Sequence, residues 1–396
     1  MRIIHICLCV NAYTDDWSYQ DNYLPRYHKK AGHQVTVVTI PFAYQLQKRE
    51  FVTPGTYFDD FGVKVYRLPL FFCNKSKIAS KLKIFKGLYK TLGNEDPDII
   101  FVHGCQFLDI RKIIKYITKN PTVRVYVDNH ADFSNSASNW LSKNILHGLV
   151  WKYCAQSIEP YAEKFYGVLP ARVDFLAYVY KLPKNKIELL VMGADDELVV
   201  AARQPQIRQS IRAKYNINEN DFLIMTGGKI DPAKKQTILL MQAIKRINRD
   251  KVKLIVFCSV TPDLITAVES SCYGNRIQYI GWVQSDESYA HFAAADLVVF
   301  PGRHSVFWEQ VAGLGIPMIV KYWEGTTHVD VGGNCDFLYE DSVNEIKNKI
   351  QALIDDPAKY RKMKEIALKQ GMEVFSYRSI AERSIMEARK LRAGQI

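Results

Sequence analysis

Leu297-Val298-Val299-Phe300-Pro301-Gly302-Arg303-His304-Ser305-Val306-Phe307-Trp308-Glu309-Gln310-Val311-Ala312-Gly313-Leu314-Gly315-Ile316-Pro317 decides how this chain folds. Leu297 to Phe300 form an apolar run that reads as a buried strand, and the Pro301-Gly302 turn stops it. Ser305 stands where a helix N-cap is expected, because its hydroxyl can accept from a free amide of the first turn. Phe307, Trp308, Val311 and Ala312 give that helix apolar residues, and Gly313 and Gly315 close it before the strand at Pro317. Strand, helix and strand in this order make the crossover unit of a parallel sheet. Free amides and the positive end of the helix dipole suit a diphosphate, which makes Ser305 and Val306 candidates for donor binding. Glu309, about one turn in, is placed to accept hydrogen bonds from both hydroxyls of a ribose. The plainer reading, an exposed helix carboxylate, sits badly with its apolar neighbours.

Working outward, the same alternation of short β-branched runs and longer helical patterns fills the chain twice. Strands are predicted at Arg2–Val10, Gln34–Ile40, Val63–Arg67, Asp98–His103, Thr122–Asp128 and Ile187–Met192, then at Asp221–Thr226, Val252–Cys258, Ile277–Ile280, Leu297–Pro301 and Pro317–Lys321. Each half holds enough strands for one doubly wound sheet. The charged stretch Asp195 to Asn220 lies between them, and 396 residues fit two domains at roughly 100–200 residues each. The chain is therefore expected to be α/β, with two Rossmann-like doubly wound domains facing a central cleft. Helical patterns fill the tail from Asp341, broken at Phe375-Ser376-Tyr377. Neither a GxGxxG fingerprint nor a GxxxxGK[ST] phosphate loop follows a first strand, which opposes a dehydrogenase or an ATPase.

Thr226-Gly227-Gly228-Lys229-Ile230-Asp231-Pro232-Ala233-Lys234-Lys235-Gln236 follows the first strand of the second half. A Gly-Gly turn admits close approach of a ligand, and nearby lysines neutralise phosphate oxygens as point charges. Gly228, Lys229 and Lys235 are the candidates, and Lys234 reads as a solvated surface lysine.

Composition narrows the partners. Hydrophobic residues make up 48% and charged residues 24%, an ordinary globular balance, and the net charge of +12 calls for an anionic partner. Eight cysteines are scattered without a CxxC pair, which reads as reduced core thiols and implies no metal site. The run Ile3 to Val10 is too short for a membrane span and matches a signal peptide poorly, so the chain is expected in the cytoplasm. A nucleic-acid binder would interleave aromatics with basic residues on one face, whereas here the aromatics spread through core segments.

On the first half, Val127-Asp128-Asn129-His130-Ala131-Asp132 ends a strand at the edge where ligands of open sheets bind. His130 and Asp132 could position or deprotonate a hydroxyl; a lone histidine at a strand end can equally be structural. Between Asn74 and Leu92, Ile78, Leu82, Phe85, Tyr89 and Leu92 fall at helical spacing among Lys75, Lys77, Lys81, Lys83, Lys86 and Lys90. Such a basic amphipathic helix lies on an anionic membrane surface, or packs on its own sheet with solvated lysines.

The ordered set Gly228-Lys229, Lys235, Gly281-Trp282-Val283, Ala295-Asp296-Leu297-Val298-Val299-Phe300-Pro301 and Glu309 with Gly315-Ile316-Pro317 resembles the donor domain of GT-B glycosyltransferases of the GT4 family. Ala31-Gly32-His33-Gln34-Val35-Thr36-Val37-Val38, Pro97-Asp98-Ile99-Ile100-Phe101-Val102-His103-Gly104 and Met192-Gly193-Ala194-Asp195 fall in the family's order too, so the resemblance covers nearly the whole chain. It implies an acceptor-binding domain over residues 1–200, a nucleotide-sugar-binding domain over 201–374, and a helix over 375–396 that crosses back to the first. The implied reaction moves a hexose from a UDP- or GDP-sugar to a lipid-linked or polysaccharide acceptor at the inner face of the cell membrane, with retention. It also favours His130, and less strongly His103, as site residues.

Two departures from the family pattern matter. The first glutamate of the donor motif is absent, Pro301 standing eight residues before Glu309, which leaves His304 or Ser305 to hold the sugar. The first loop, Asp15-Asp16-Trp17-Ser18-Tyr19-Gln20-Asp21, replaces a Gly-Gly pair, and its Trp17 and Gln20 suit a sugar or acceptor surface. No cofactor is expected beyond the donor itself, although Mg²⁺ bound with it would be compatible. The rivals are a nucleotide-sugar epimerase of the same fold and a non-catalytic subunit supporting a partner enzyme.

Overall fold

The computed structural model describes all residues except 10–12, 16, 46–47, 72–82, 138, 387 and 389–396. Its contacts divide the chain into a unit of Met1–Val191 with Ile380–Ile396 and a unit of Met192–Ser379.

The first unit contains β1 (Arg2–Cys7), β2 (Gln34–Thr39), β3 (Phe42–Gln45), β4 (Lys48–Phe51), β5 (Gly55–Phe58), β6 (Lys64–Arg67), β7 (Ile99–His103), β8 (Arg124–Asn129), β9 (Ala162–Gly167) and β10 (Ile187–Leu189). Its sheet runs in the order β10-β9-β8-β7-β1-β2-β6-β5, parallel except for β5 against β6, while β3 and β4 pair as a separate antiparallel ribbon. The central strands β1 and β7 are covered on both faces, which explains their continuous apolar sequences. Helix Ile110–Lys119 places Ile110, Ile113 and Ile117 at helical spacing into the core. Each such side chain contributes about 1.5–3 kcal/mol on burial.

The second unit contains β11 (Phe222–Ile230), β12 (Val252–Val260), β13 (Ile277–Tyr279), β14 (Leu297–Phe300), β15 (Met318–Lys321) and β16 (Cys335–Leu338). All pair in parallel in the order β13-β12-β11-β14-β15-β16. Numbered within the unit this is 3-2-1-4-5-6, the Rossmann order, and the order reverses between β11 and β14. The carboxyl ends of those two strands and the loops that leave them hold the segments Thr226–Gln236 and Leu297–Pro317.

Every strand predicted from the alternation has an observed counterpart. The reading missed β9, whose Glu163 and Lys164 interrupt the apolar pattern, the short β16, and the exposed or edge strands β3, β4 and β5. The basic helix needs correction. Lys75, Lys77 and Lys81 lie outside the described residues. Lys83 and Lys86 are not helical, because Phe71 and Lys86 donate backbone hydrogen bonds to Ile84 and Pro69, and Phe85 bridges to Leu70. The helix starts only at Leu88, after Gly87 at φ +87°. Lys83 turns inward, its Nζ donating to the Cys9 carbonyl at 2.8 Å, while Lys86 and Lys90 are exposed.

Candidate active site

In the second unit the Gly227-Gly228 pair is not a turn. Strand β11 runs through it to Ile230, paired with β12 along its length. A Cβ at Gly227 would lie 2.4 Å from the Phe257 ring, so this glycine answers to a neighbour in the sheet rather than to a ligand. Gly228, at φ +129°, takes a backbone conformation that side chains disfavour.

Near the end of β11, Lys229 is exposed and pairs with Asp231 at 3.5 Å, and beyond the strand Lys235 is exposed at the start of helix Gln236–Arg246. Lys234, read as solvated, is the half-buried one. Burial lowers its pKa, Asp231 opposes this, and Lys229 and Arg303 press it down further. A Cβ at Gly302 would lie 3.8 Å from the Lys234 Cα and 3.3 Å from Gln236 Oε1, so the loops after β11 and β14 touch. Lys229, Lys234 and Arg303 thus gather cationic charge at the reversal point of the sheet. A phosphate there would relieve their mutual repulsion.

The helix after β14 spans Phe307–Leu314, one residue later than expected from Ser305. Val306 occupies the N-cap position without a side-chain capping bond, and Ser305 contributes its carbonyl to the Trp308 amide at 3.0 Å. Glu309, in the first turn, is 0% exposed. Its Oε1 accepts from His304 Nε2 and from His328 Nε2, each at 2.8 Å, while its Oε2 has no hydrogen-bond partner among the described residues. Burial raises the carboxyl pKa, but His304 and His328 outweigh it and hold the group well below the usual carboxylate range. Gln310 is buried beside it, with Oε1 likewise unpartnered. His328 was not foreseen: it lies in the loop after β15, where no periodic pattern marks it.

In the first unit, the ends of β1, β7 and β8 assemble a second polar cluster. His130 is partly exposed, with Nε2 3.3 Å from Asp128 Oδ2. Asp128 is fully buried. Burial would raise its pKa, and His103 and then His130 reverse this and hold it far below the usual range. His103 is also fully buried, both ring nitrogens being engaged by His5 and Asp128, so it lies behind His130 rather than on an acceptor surface.

Asp132 does not match the role of a base. Its Oδ1 accepts from the Ser134 amide, the Ser134 hydroxyl and the Asn135 amide, and its Oδ2 from Arg172 Nε at 3.1 Å. Those bonds hold the turn after β8. Trp17 stacks on Tyr44 with centroids 4.5 Å apart. Gln20 is fully buried at the start of helix Gln20–Lys30, and neither amide atom has a partner among the described residues. The geometry therefore joins His130 to His103 through Asp128, and His304 to Glu309, while Asp132, Trp17 and Gln20 are each held by other surroundings.

Two groups bring histidine nitrogens and a carboxylate within 4.8 Å of one another, as a metal site would: His103, Asp128 and His130, and His304, Glu309 and His328. Hydrogen bonding accounts for the second group and for His103 with Asp128 in the first, whereas His130 Nε2 has no hydrogen-bond partner among the described residues. His103 has no ring nitrogen left for an ion, and His328 Nδ1 lacks the acceptor that normally supports a metal-bound imidazole.

Residues 221–356 match the family model described as Glycosyl transferases group 1. The match lies wholly within the second unit. Among solved structures the chain is similar to the sucrose-phosphate synthase of Thermosynechococcus elongatus, at 16% identity and TM-score 0.70 over 99% of each chain. The Anabaena protein HepE in complex with UDP matches at 15% identity and TM-score 0.66, over 99% of this chain and 100% of that one. The UDP-GlcNAc 2-epimerase of Neisseria meningitidis bound to UDP-GlcNAc matches at 14% and 0.65, over 98% and 100%. These likenesses establish the GT-B fold for this chain. Because an epimerase shares it, they do not choose the reaction. No curated protein matches the chain in sequence.

Proposed function

We propose that the chain transfers a hexose from a UDP- or GDP-sugar to a lipid-linked or polysaccharide acceptor, with retention of anomeric configuration. The observation that carries this reading is the cationic group of Lys229, Lys234 and Arg303 beside the helix start at Val306, inside the group 1 domain. On the donor side these charges and the first-turn amides stabilise the leaving diphosphate, and Gly228 and Lys235 flank it. Glu309, aligned by His304 and His328, is assigned to the ribose through its buried, unpartnered Oε2. His304 takes the place of the missing glutamate near the sugar.

On the acceptor side His130, backed by Asp128, accepts the proton of the attacking hydroxyl as that oxygen bonds to the anomeric carbon and the bond to the diphosphate breaks. For retention, the hydroxyl attacks on the face from which the diphosphate leaves. No protein-bound metal ion enters this scheme, and Mg²⁺ would arrive with the donor phosphates. Two sources support a lipid-linked acceptor. The net charge is +12, and Trp140, Leu141, Ile145, Leu149 and Tyr153 are exposed on consecutive helical segments that carry no acidic residue between Phe133 and Ile158. No helix among the described residues is long and apolar enough to cross a membrane, so the proposed association is peripheral, at the inner face.

The epimerase reading keeps the donor site and dispenses with the acceptor, and the subunit reading dispenses with both. Titration with UDP, GDP and their sugars separates the three. Binding of one nucleotide sugar, weakened about tenfold (roughly 1.4 kcal/mol) by Lys234→Ala and by Arg303→Ala, is the expected result. Conversion of the donor without any acceptor would select epimerisation, and absence of binding would select the subunit.

A further inference from the structure

Three fully buried imidazoles stand in a row across the first unit. His28 Nε2 lies 3.0 Å from the Ala381 carbonyl and 3.1 Å from Ser384 Oγ. His28 Nδ1 is 3.0 Å from His5 Nε2, His5 Nδ1 is 2.9 Å from His103 Nε2, and His103 Nδ1 is 2.7 Å from Asp128 Oδ2. Each histidine is at most 1% exposed.

The two ends fix a proton count. A backbone carbonyl only accepts, and so does a carboxylate. Four links between such ends need four protons, and three neutral imidazoles bring three. The Ser384 hydroxyl does not supply the fourth, since it donates to Ala381 at 2.7 Å. Ordinary acidities put that proton on an imidazole rather than on the carboxyl. A buried link left unmade would carry the full desolvation penalty of its unpaired group.

We propose that His28, His5 and His103 share one excess proton and form a relay behind His130. The excess charge can rest at either end of the row. When it is on His103, passing Nε2–H to His5 Nδ1 and His5 Nε2–H to His28 Nδ1 moves it to His28. All four hydrogen bonds persist and no heavy atom moves. The Asp128 carboxylate favours the charge at one end. At the other, the Ala381 carbonyl belongs to the last turn of helix Tyr377–Ser384, the negative end of its dipole.

Other groups facing the row among the described residues are Asp21 from helix Gln20–Lys30, His33 with its ring edge-on 6.2 Å from His28, Cys7 at the end of β1 and Cys9 just beyond it. Burial lowers the pKa of His5, with His28 and His103 adding to the effect. Burial also lowers His103, but Asp128 outweighs it and raises the group, so the charge at rest sits beside Asp128.

The use of the relay follows from His130 as base, and in that respect it rests on the proposed reaction. When His130 gains a proton, a second cation forms on the same carboxylate oxygen. Withdrawal of the row's charge to His28 removes that repulsion without expelling a proton to solvent.

The test is nitrogen-15 NMR of the histidine-labelled full chain from pH 5.5 to 9, with single His→Asn variants for assignment. Four protonated nitrogens among the six of the three rings, unchanged through pH 6.5, are expected. In His28→Asn, with folding confirmed by circular dichroism, the charge can withdraw no further than His5, whose burial disfavours it, and the His130 pKa should fall relative to wild type. His28→Gln repeats the measurement should the first variant unfold. Three protonated nitrogens, a titration of the row near 6.5, or an unmoved His130 pKa would each overturn the proposal. These readings need no substrate, so they stand apart from success or failure of the transferase assay.

Discussion

His328 Nε2 donates to Glu309 Oε1 across 2.8 Å, joining the loop after β15 to the first turn of the donor-motif helix. The carboxylate it meets is wholly buried, and burial alone would favour its neutral form. The histidines reverse that preference, so Glu309 holds its proton less tightly in the folded protein than in the unfolded chain.

A group with a depressed folded pKa stabilises the protein above its unfolded value and loses that contribution as pH falls toward the folded value. Urea unfolding of wild type should therefore weaken as pH drops below about 4.3, the ordinary glutamate range, and Glu309→Gln should flatten that dependence. His328→Ala should cost about 1.5–3 kcal/mol at pH 7, the range for a hydrogen bond to a charged group. An unchanged urea midpoint in His328→Ala would mean that the bond contributes nothing.

Gly227 faces the Phe257 ring within strand β11, with no room for a methyl group at 2.4 Å. Gly227→Ala should destabilise the second unit by about 1–3 kcal/mol, the usual cost of overpacking. Phe257→Leu in the same chain should recover part of the loss in urea unfolding. If the double variant is no better than the single, the clash is not with that ring.

Trp140, at 72% exposure, and Leu149, at 65%, are the most exposed of the apolar side chains on their helical segments. Sedimentation with vesicles containing anionic lipid should retain wild type and lose most of the Trp140→Asp/Leu149→Asp variant, with the melting temperature little changed. Equal retention of both proteins would remove this surface from the membrane argument.

Much of the fold was legible because parallel strands buried on both faces must be continuously apolar, as Ile99–His103 and Leu297–Phe300 are. Strand β9 escaped because Glu163 and Lys164 occupy half-buried positions in it, and β16 because four residues carry too little period to read. At the candidate site, apolar neighbours betrayed Glu309 as a buried carboxylate, yet its partner His328 is distant in sequence and unmarked by pattern. Lys234 and Lys235 are adjacent and chemically identical, and only the loop geometry beside Gly302 separates the half-buried lysine from the exposed one. His103 shows the same limit: its strand was evident, but not that both ring nitrogens would be spent on His5 and Asp128.

His28 reaches from the first helix of the chain to Ala381 and Ser384, and the unit it belongs to is interrupted by the whole of Met192–Ser379. A ribosome delivers these parts in order, at about 5–20 residues per second. The intervening unit is therefore complete on emergence, while the first half waits with an imidazole and two buried neighbours uncovered. Its maturation waits for the segment that begins at Ile380, which makes the nascent first half the stage at which a chaperone has most to protect.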